Sequence, residues 1–242
     1  EGIVPRTLAE NGVKSGSASR AQTLAYSPFD ENFENFADAT GEFGEAEITG
    51  STIGGALLGQ ATVEFRAGVK DNGVHFPGGR GLILGENLVN DYDYTVAFWV
   101  NIAAFTDHTT TFFACEDIDS WVSFVPKPWW RNPGEPAVWS HDNGAWITFN
   151  VDVPAPLSAN RWYHIALVVD KGNISVYTNG EAVPLTSIEG LPLPDFFSRG
   201  YNMFVLGVNF WDPPFQGMID ELWIFDRPLN AEEVKALYKL TY

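Results

Sequence analysis

The chain has 242 residues, 31 of them acidic against 14 basic, for a net charge of −17. Apolar residues make up 45% and the mean hydropathy is −0.08, which suits a folded protein with a sizeable core, and no run of 18 apolar residues offers a membrane span. So acidic a surface repels phosphate backbones, which excludes a nucleic-acid partner and leaves a neutral partner or a cation.

Residues 1–20 end in a small, polar run and read as a linker or a loosely held entry segment. With Glu1 at the start and no signal peptide, the chain is expected to be an excised module or a processed product. Short strand-like runs then follow, at 23–29, 61–67, 73–76, 94–102, 110–115, 121–125, 145–151, 162–170, 174–178, 203–208 and 218–225. Gly, Pro, Asn and Asp separate them. In YDYTVAFWVNI, Tyr94, Val96, Phe98, Val100 and Ile102 fall on one face at period two. In WYHIALVVDKGNISVYTNGEAV, strands are divided near Lys171-Gly172-Asn173 and at Asn179-Gly180, the latter a strong type I′ hairpin signal. Cys115 is the single cysteine, so no disulfide forms within the chain and a buried free thiol is expected. The pattern predicts an all-β, antiparallel two-sheet sandwich of jelly-roll type with a short C-terminal helix. There is no internal repeat.

The last elements lie in FQGMIDELWIFDRPLNAEEVKALY, residues 215–238. Strict alternation puts Met218, Asp220, Leu222 and Ile224 on one face, and Ile219, Glu221, Trp223 and Phe225 on the other. Leu222 and Ile224 read as core, so Asp220 would point inward, where a lone carboxylate needs donors or a cation. Trp223 would point outward, beneath a cover such as the N-terminal segment or as a second exposed aromatic surface. Asn230 with Glu233 makes a capping box, and Leu229 with Val234 a hydrophobic staple. The helix carries packing residues and no chemistry.

This closing stretch resembles that of laminin-G-like, concanavalin A-like jelly-roll domains. In those domains a Gly-x-Ile-Asp-Glu strand precedes a Leu-(Ser/Asn/Thr)-x-x-Glu helix that ends in Leu-Tyr. YTVAFWVNI resembles the same family's Phe-Thr-Val-x-x-Trp-Val strand. RWYHIALVVDKGNISVYTNG resembles its Trp-x-His-Val-Ala hairpin, and LAYSPFDENFENFADATGE its entry strand and loop. The resemblance spans roughly residues 23–242 and implies one such domain over 21–242, with 129–144 as an insertion. It also implies a structural Ca²⁺ between the entry loop and the closing strand, with Asp30, Asp38 and Asp220 as carboxylate ligands and backbone carbonyls completing the oxygen shell. The alternative is that Asp220 caps loop amides without a metal. His75, His108, His141 and His164 are scattered, with no zinc-like spacing.

Five of the nine tryptophans fall within residues 121–146, among Pro, Gly, Asn and Asp. Trp129 and Trp130 are adjacent and cannot both face a core from a strand. Loop indoles offer flat apolar faces to sugar rings, and nearby polar groups bind hydroxyls. The candidate ligand-binding residues are therefore Trp129, Trp130, Arg131, Trp139, His141, Asp142 and Asn143, with Trp211 as a second wall. The alternative is a loop whose indoles plug a satellite core. A retaining glycosidase needs two carboxyls about 5–5.5 Å apart, and no strand carries the spacing for them. No serine triad, P-loop or dinucleotide fingerprint is present either. The expectation is a non-catalytic carbohydrate-binding module, secreted or at the cell surface and monomeric. It would hold a polysaccharide or oligosaccharide, such as a plant cell-wall glycan, for a covalently linked catalytic module. An adhesion or spacer module, and a jelly-roll hydrolase or lyase, stay open as alternatives.

Overall fold

The computed structural model describes residues 23–30, 46–59, 62–190, 192–195 and 197–240. The entry segment 1–20 and the metal candidate Asp38 lie outside the described residues. In chain order the strands are β1 (Thr23–Ser27), β2 (Glu47–Thr49), β3 (Glu64–Ala67), β4 (Asn72–Pro77), β5 (Gly81–Glu86), β6 (Tyr94–Ile102), β7 (Phe112–Cys115) and β8 (Ser120–Val125). They continue with β9 (Ala137–Asp142), β10 (Ala145–Val151), β11 (Trp162–Asp170), β12 (Asn173–Thr178), β13 (Glu181–Val183), β14 (Leu185–Glu189), β15 (Met203–Leu206) and β16 (Gln216–Phe225). One α-helix, α1 (Ala231–Leu240), closes the described chain.

The strands make two sheets with antiparallel pairings. The first runs β13-β12-β11-β6-β16-β4-β3, with β1 joined to the second half of β16, and the second runs β14-β10-β9-β8-β7-β15-β5-β2. Their inner faces meet in one apolar core. Tyr94, Val96, Phe98, Val100 and Ile102 of β6 all enter it, as their period-two spacing predicts. Two-residue turns with positive φ at both positions join β9–β10 (Asn143-Gly144), β11–β12 (Lys171-Gly172) and β12–β13 (Asn179-Gly180). Their backbone twist matches that of the strands they join. The sequence reading found the last two. It missed the first, and with it β9.

In β16 the expected alternation fails. Asp220 pairs with Trp99 of β6 and Trp223 pairs with Ala97, so three steps along β16 match two along β6. The extra residue is a bulge, and Glu221 takes φ 48° within it. Ile219 therefore faces the core together with Leu222 and Ile224, contrary to strict period two. The bulge also divides one edge of β16. Gln216–Ile219 pair with β4, and Leu222–Phe225 pair with β1.

Beyond the bulge, Trp223 and Phe225 point out of the first sheet with parallel rings 6.0 Å apart. The cover over them is α1. Val234 and Leu237 of the helix and Leu229 before it pack with Trp223, Phe225, Ala97, Ala166 and Val168 in a second buried cluster. The capping box forms in both directions: Glu233 N–H donates to Asn230 Oδ1 at 3.0 Å, and Asn230 N–H donates to Glu233 Oε2 at 2.8 Å. Arg227 grips Glu233 at 2.5 Å, and Thr95 Oγ1 accepts the Leu229 N–H at 2.9 Å.

Tyr238 of α1 stacks on Trp99 at 5.4 Å and lies 5.8 Å from the buried ring of His164. Burial holds the His164 imidazole neutral, lowering its pKa from 6.5 to about 4. The unfolded chain takes up that proton at higher pH than the fold does. This contribution to stability is complete above pH 6.5 and is lost as pH falls towards 4. Chemical denaturation at pH 7 and pH 4.5 should show a drop that His164→Gln lessens by about 2–3 kcal/mol. Equal drops in both proteins would contradict this.

Candidate functional site

The outer face of the second sheet has no helix packed on it among the described residues. Four of its strands, β7 to β10, lie side by side, and their alternation sends one set of side chains to the core and the other to this face. Val122 and Phe124 of β8, Val138 of β9, and Ile147 and Phe149 of β10 go inward. Trp121 faces outward, in register with His141 and then Trp146 on the next two strands, while Ser123 is in register with Trp139. Phe113 and Cys115 of β7 and Val205 of β15 extend the surface.

The result is a continuous aromatic strip. Trp121 is its floor, only 2% exposed. Trp139, Trp146 and Trp211 meet it edge to face at 5.3, 6.0 and 5.7 Å, and Phe113 stacks on it at 5.6 Å. Trp139 and Trp146 stack on each other at 5.3 Å, with 17° between their planes. Two loops border the strip. The loop before β9 supplies Trp130, 5.8 Å from Trp139, and Trp129, 5.9 Å from Trp130. The loop after β15 supplies Phe210 and Trp211. There Asn209 Oδ1 accepts the backbone N–H groups of Trp211 at 3.0 Å and Asp212 at 2.7 Å, which sets the indole's position. Trp129 is 69% exposed, Trp211 44% and Trp146 43%. Indoles fixed in place yet open to water present apolar faces at little entropic cost on binding.

The structure brings Trp129, Trp130, Trp139, His141 and Trp211 of the expected set to this strip. Trp139 and His141 stand on a strand, although the sequence reads as a long loop there. His141 is 4.6 Å from Trp146, and its Nδ1 donates to the Asp119 carbonyl at 2.7 Å. Trp130 Nε1 donates to Asn150 Oδ1 at 3.0 Å. Three expected residues have structural partners instead. The Arg131 guanidinium pairs with Asp152 at 3.2 Å and donates to the carbonyls of Pro136 and Val151, pinning the loop to the end of β10. Asp142 is gripped at both oxygens by Arg199 at 2.8 Å and accepts from Ser120 and Asn143, and Arg199 holds its carboxyl below the usual range. Asn143 occupies the β9–β10 turn.

The sequence reading missed Trp121 and Trp146 as members of the strip, along with Phe113, Phe210, His108 and Asp212. His108 lies against Trp139 at 4.9 Å. Burial raises the Asp212 carboxyl's pKa, while Asn209, which donates to it at 2.7 Å, and nearby His108 oppose that rise. The signal available in the sequence was Asn143-Gly144, whose turn pairs AVWSHD with AWITFNV and aligns their outward aromatics. Cys115 is 1% exposed and its thiol is pushed up to about 12 by burial, so it is inert.

The metal candidates lie on the other sheet. Asp220 is fully buried, and its Oδ2 accepts the amides of Val69 at 2.7 Å and Lys70 at 3.2 Å. Its Oδ1 accepts the Glu221 amide at 2.7 Å. Burial drives its pKa up to about 7 against those amides. Asp30 Oδ1 accepts the Asn72 amide at 3.2 Å in the same loop. Three amides on one carboxylate satisfy it without a cation, and among the described residues no three His, Cys, Asp or Glu side chains converge as a metal cage. As placed, Asp30 and Asp220 both accept loop amides.

The chain belongs to the concanavalin A-like lectin/glucanase superfamily, whose family model matches residues 76–235. It is 32% identical to domain 4 of AbnA, a GH43 extracellular arabinanase from Geobacillus stearothermophilus solved in complex with arabinotriose. That match covers 90% of this chain and 98% of that one at a TM-score of 0.77. The botulinum neurotoxin serotype C1 binding domain matches at 11% identity and TM-score 0.60, over 91% of this chain and 52% of that one. Trypanosoma rangeli sialidase, in complex with the inhibitor DANA, matches at 17% and 0.52, over 88% and 32%. These two distant matches share the fold alone. No curated protein sequence matches the chain.

The strip's floor and its open platforms should separate in their effect on stability. Trp121→Ala is expected to cost about 3–5 kcal/mol, as for a buried large aromatic. Trp146→Ala should stay within about 1 kcal/mol of the parent in urea denaturation. Equal losses would mean that Trp146 is a core residue.

Proposed function

We propose that this domain is a non-catalytic carbohydrate-binding module that holds a glycan chain across the aromatic strip of its second sheet. The observation that carries the reading is the array of Trp129, Trp146 and Trp211, three indoles in ring contact with the strip while open to solvent. Sugar rings stack their C–H faces on indoles, while Asp212, His141 and His108 are at hand for hydroxyls. The 32% identity to an arabinanase domain solved with arabinotriose favours an arabino-oligosaccharide as the first ligand to test. That relative belongs to an extracellular enzyme, which supports a secreted setting and a linked catalytic module. Tethering would raise the enzyme's effective concentration at its polymer. The non-catalytic role is supported by the state of the carboxylates. Glu116 and Asp142 are both bound to Arg199, and Asp220 and Glu221 are buried on the other sheet.

Affinity electrophoresis against arabinan, with arabinotriose calorimetry, tests this. Trp146→Ala and Trp211→Ala should each weaken binding by ~2 kcal/mol, about thirtyfold in Kd, as for other hot-spot aromatics. No retardation by any plant or microbial glycan would remove the proposal, and release of reducing ends would turn it into a hydrolase.

A structural Ca²⁺ held by Asp30, Asp38 and Asp220 is a separate proposal, supported by the family resemblance. It requires the loop amides at 69 and 70 to yield an Asp220 oxygen to the cation. With calcium at a hundredfold excess over Kd, the melting temperature should rise by about 5–10 °C over the EDTA-treated protein. Identical melting curves would leave Asp220 as a loop cap.

A further inference from the structure

A second cleft, of about 400 Å³, opens at the edge of the first sheet, away from the aromatic strip. It lies between residues 153–158 and the β12–β13 hairpin. Its frame is rigid. The Leu157 N–H donates to the Gly134 carbonyl at 2.8 Å, the Ser158 N–H to the Tyr163 hydroxyl oxygen at 2.9 Å, and the Asn179 N–H to the His164 carbonyl at 2.8 Å. Val153, Leu157 and Val183 give it an apolar wall, to which exposed Pro154 and Pro156 add.

Two polar side chains that bond to no other residue line the cleft. The Thr178 hydroxyl is buried with no hydrogen-bond partner, a state that a buried polar group rarely keeps. Arg161, an exposed side chain, lines the cleft too. Among the described residues Arg66, Arg80, Arg131, Arg199 and Arg227 each hold a carboxylate or a carbonyl. Arg161 alone has no such bond, in a chain of net charge −17. The one carboxylate lining the cleft, Glu181, is paired with Lys235 at 2.6 Å.

We infer that this cleft is a binding site for a carboxylate-bearing sugar unit, a uronic acid. The Arg161 fork takes the carboxylate, the Thr178 hydroxyl takes a ring hydroxyl, and the Tyr163 and proline wall takes the ring's C–H face. The site is independent of the aromatic strip. A domain with both would engage a neutral chain on one sheet and an acidic unit at the edge of the other.

Nitrogen-15 NMR titration with galacturonic acid, galactose and acetate at constant ionic strength tests it. Galacturonic acid should shift the amides of residues 154–163 and 178–183 saturably, at least tenfold more tightly than galactose or acetate. Arg161→Gln should weaken this at least tenfold and Thr178→Val about threefold, while Trp146→Ala leaves it unchanged. Equal affinity for galactose would overturn carboxylate recognition, and equal affinity for acetate would overturn sugar recognition. The absence of saturable shifts, or an Arg161→Gln protein that binds as the parent does, would overturn the site. None of these results bears on arabinan binding by the aromatic strip.

Discussion

The architecture turns on a bulge of one residue in β16. Asp220 is buried there against the amides of Val69, Lys70 and Glu221, and Glu221 takes a left-handed conformation to admit the extra residue. A carboxylate removed from water needs such donors. They fix the loop 68–72 to the middle of the sheet. Gly68 and Gly73 are required by that approach: a Cβ on Gly68 would come within 2.3 Å of Asp220 Oδ2, and one on Gly73 within 3.0 Å of its Cβ. One buried acid thus sets the phase of β16 on either side of itself.

That phase decides which outer face is covered. Past the bulge, Trp223 and Phe225 emerge on the outside of the first sheet, and α1 closes over them. Such exposed aromatic area would otherwise favour association. The second sheet has no equivalent cover among the described residues, and its outward aromatics stay at the surface. There the side chains sort by depth. Trp121 carries the packing, while Trp129, Trp146 and Trp211 keep faces in water. Charge is kept to the margins by pairing, as in Arg131 with Asp152 and Arg199 with Asp142 and Glu116.

Much of this was legible in the sequence because its determinants are local. Short strand-like runs marked eleven strands, Lys171-Gly172-Asn173 and Asn179-Gly180 marked two hairpin turns, and Asn230-x-x-Glu233 marked the helix start. The elements missed are short or unusual. β5 carries glycines at two of its six positions, β2 has three residues, β14 is an edge strand with four of its five residues exposed, and β9 sits inside a segment rich in Pro, Gly and Asn. The partners of Arg131 and Asp142 and the turn position of Asn143 came from the structure, because a polar side chain near indoles looks the same in sequence whether it faces a ligand or a neighbouring strand.

The sequence by itself determined the sandwich, its superfamily resemblance, the capped helix and the concentration of tryptophan within 121–146. The resemblance rests on the family's motifs, and the rest follow from residue spacing. Only the tertiary structure decided that Trp211, some 65 positions beyond Trp146, meets Trp121 edge to face, and that Trp121 lies beneath the others. It also decided that Trp223 is covered by α1 and that Asp220 faces amides. The physical reason is common to all four. Strand register and the β16 bulge bring distant residues together, and whether a side chain is floor, platform or cap depends on neighbours supplied by other strands.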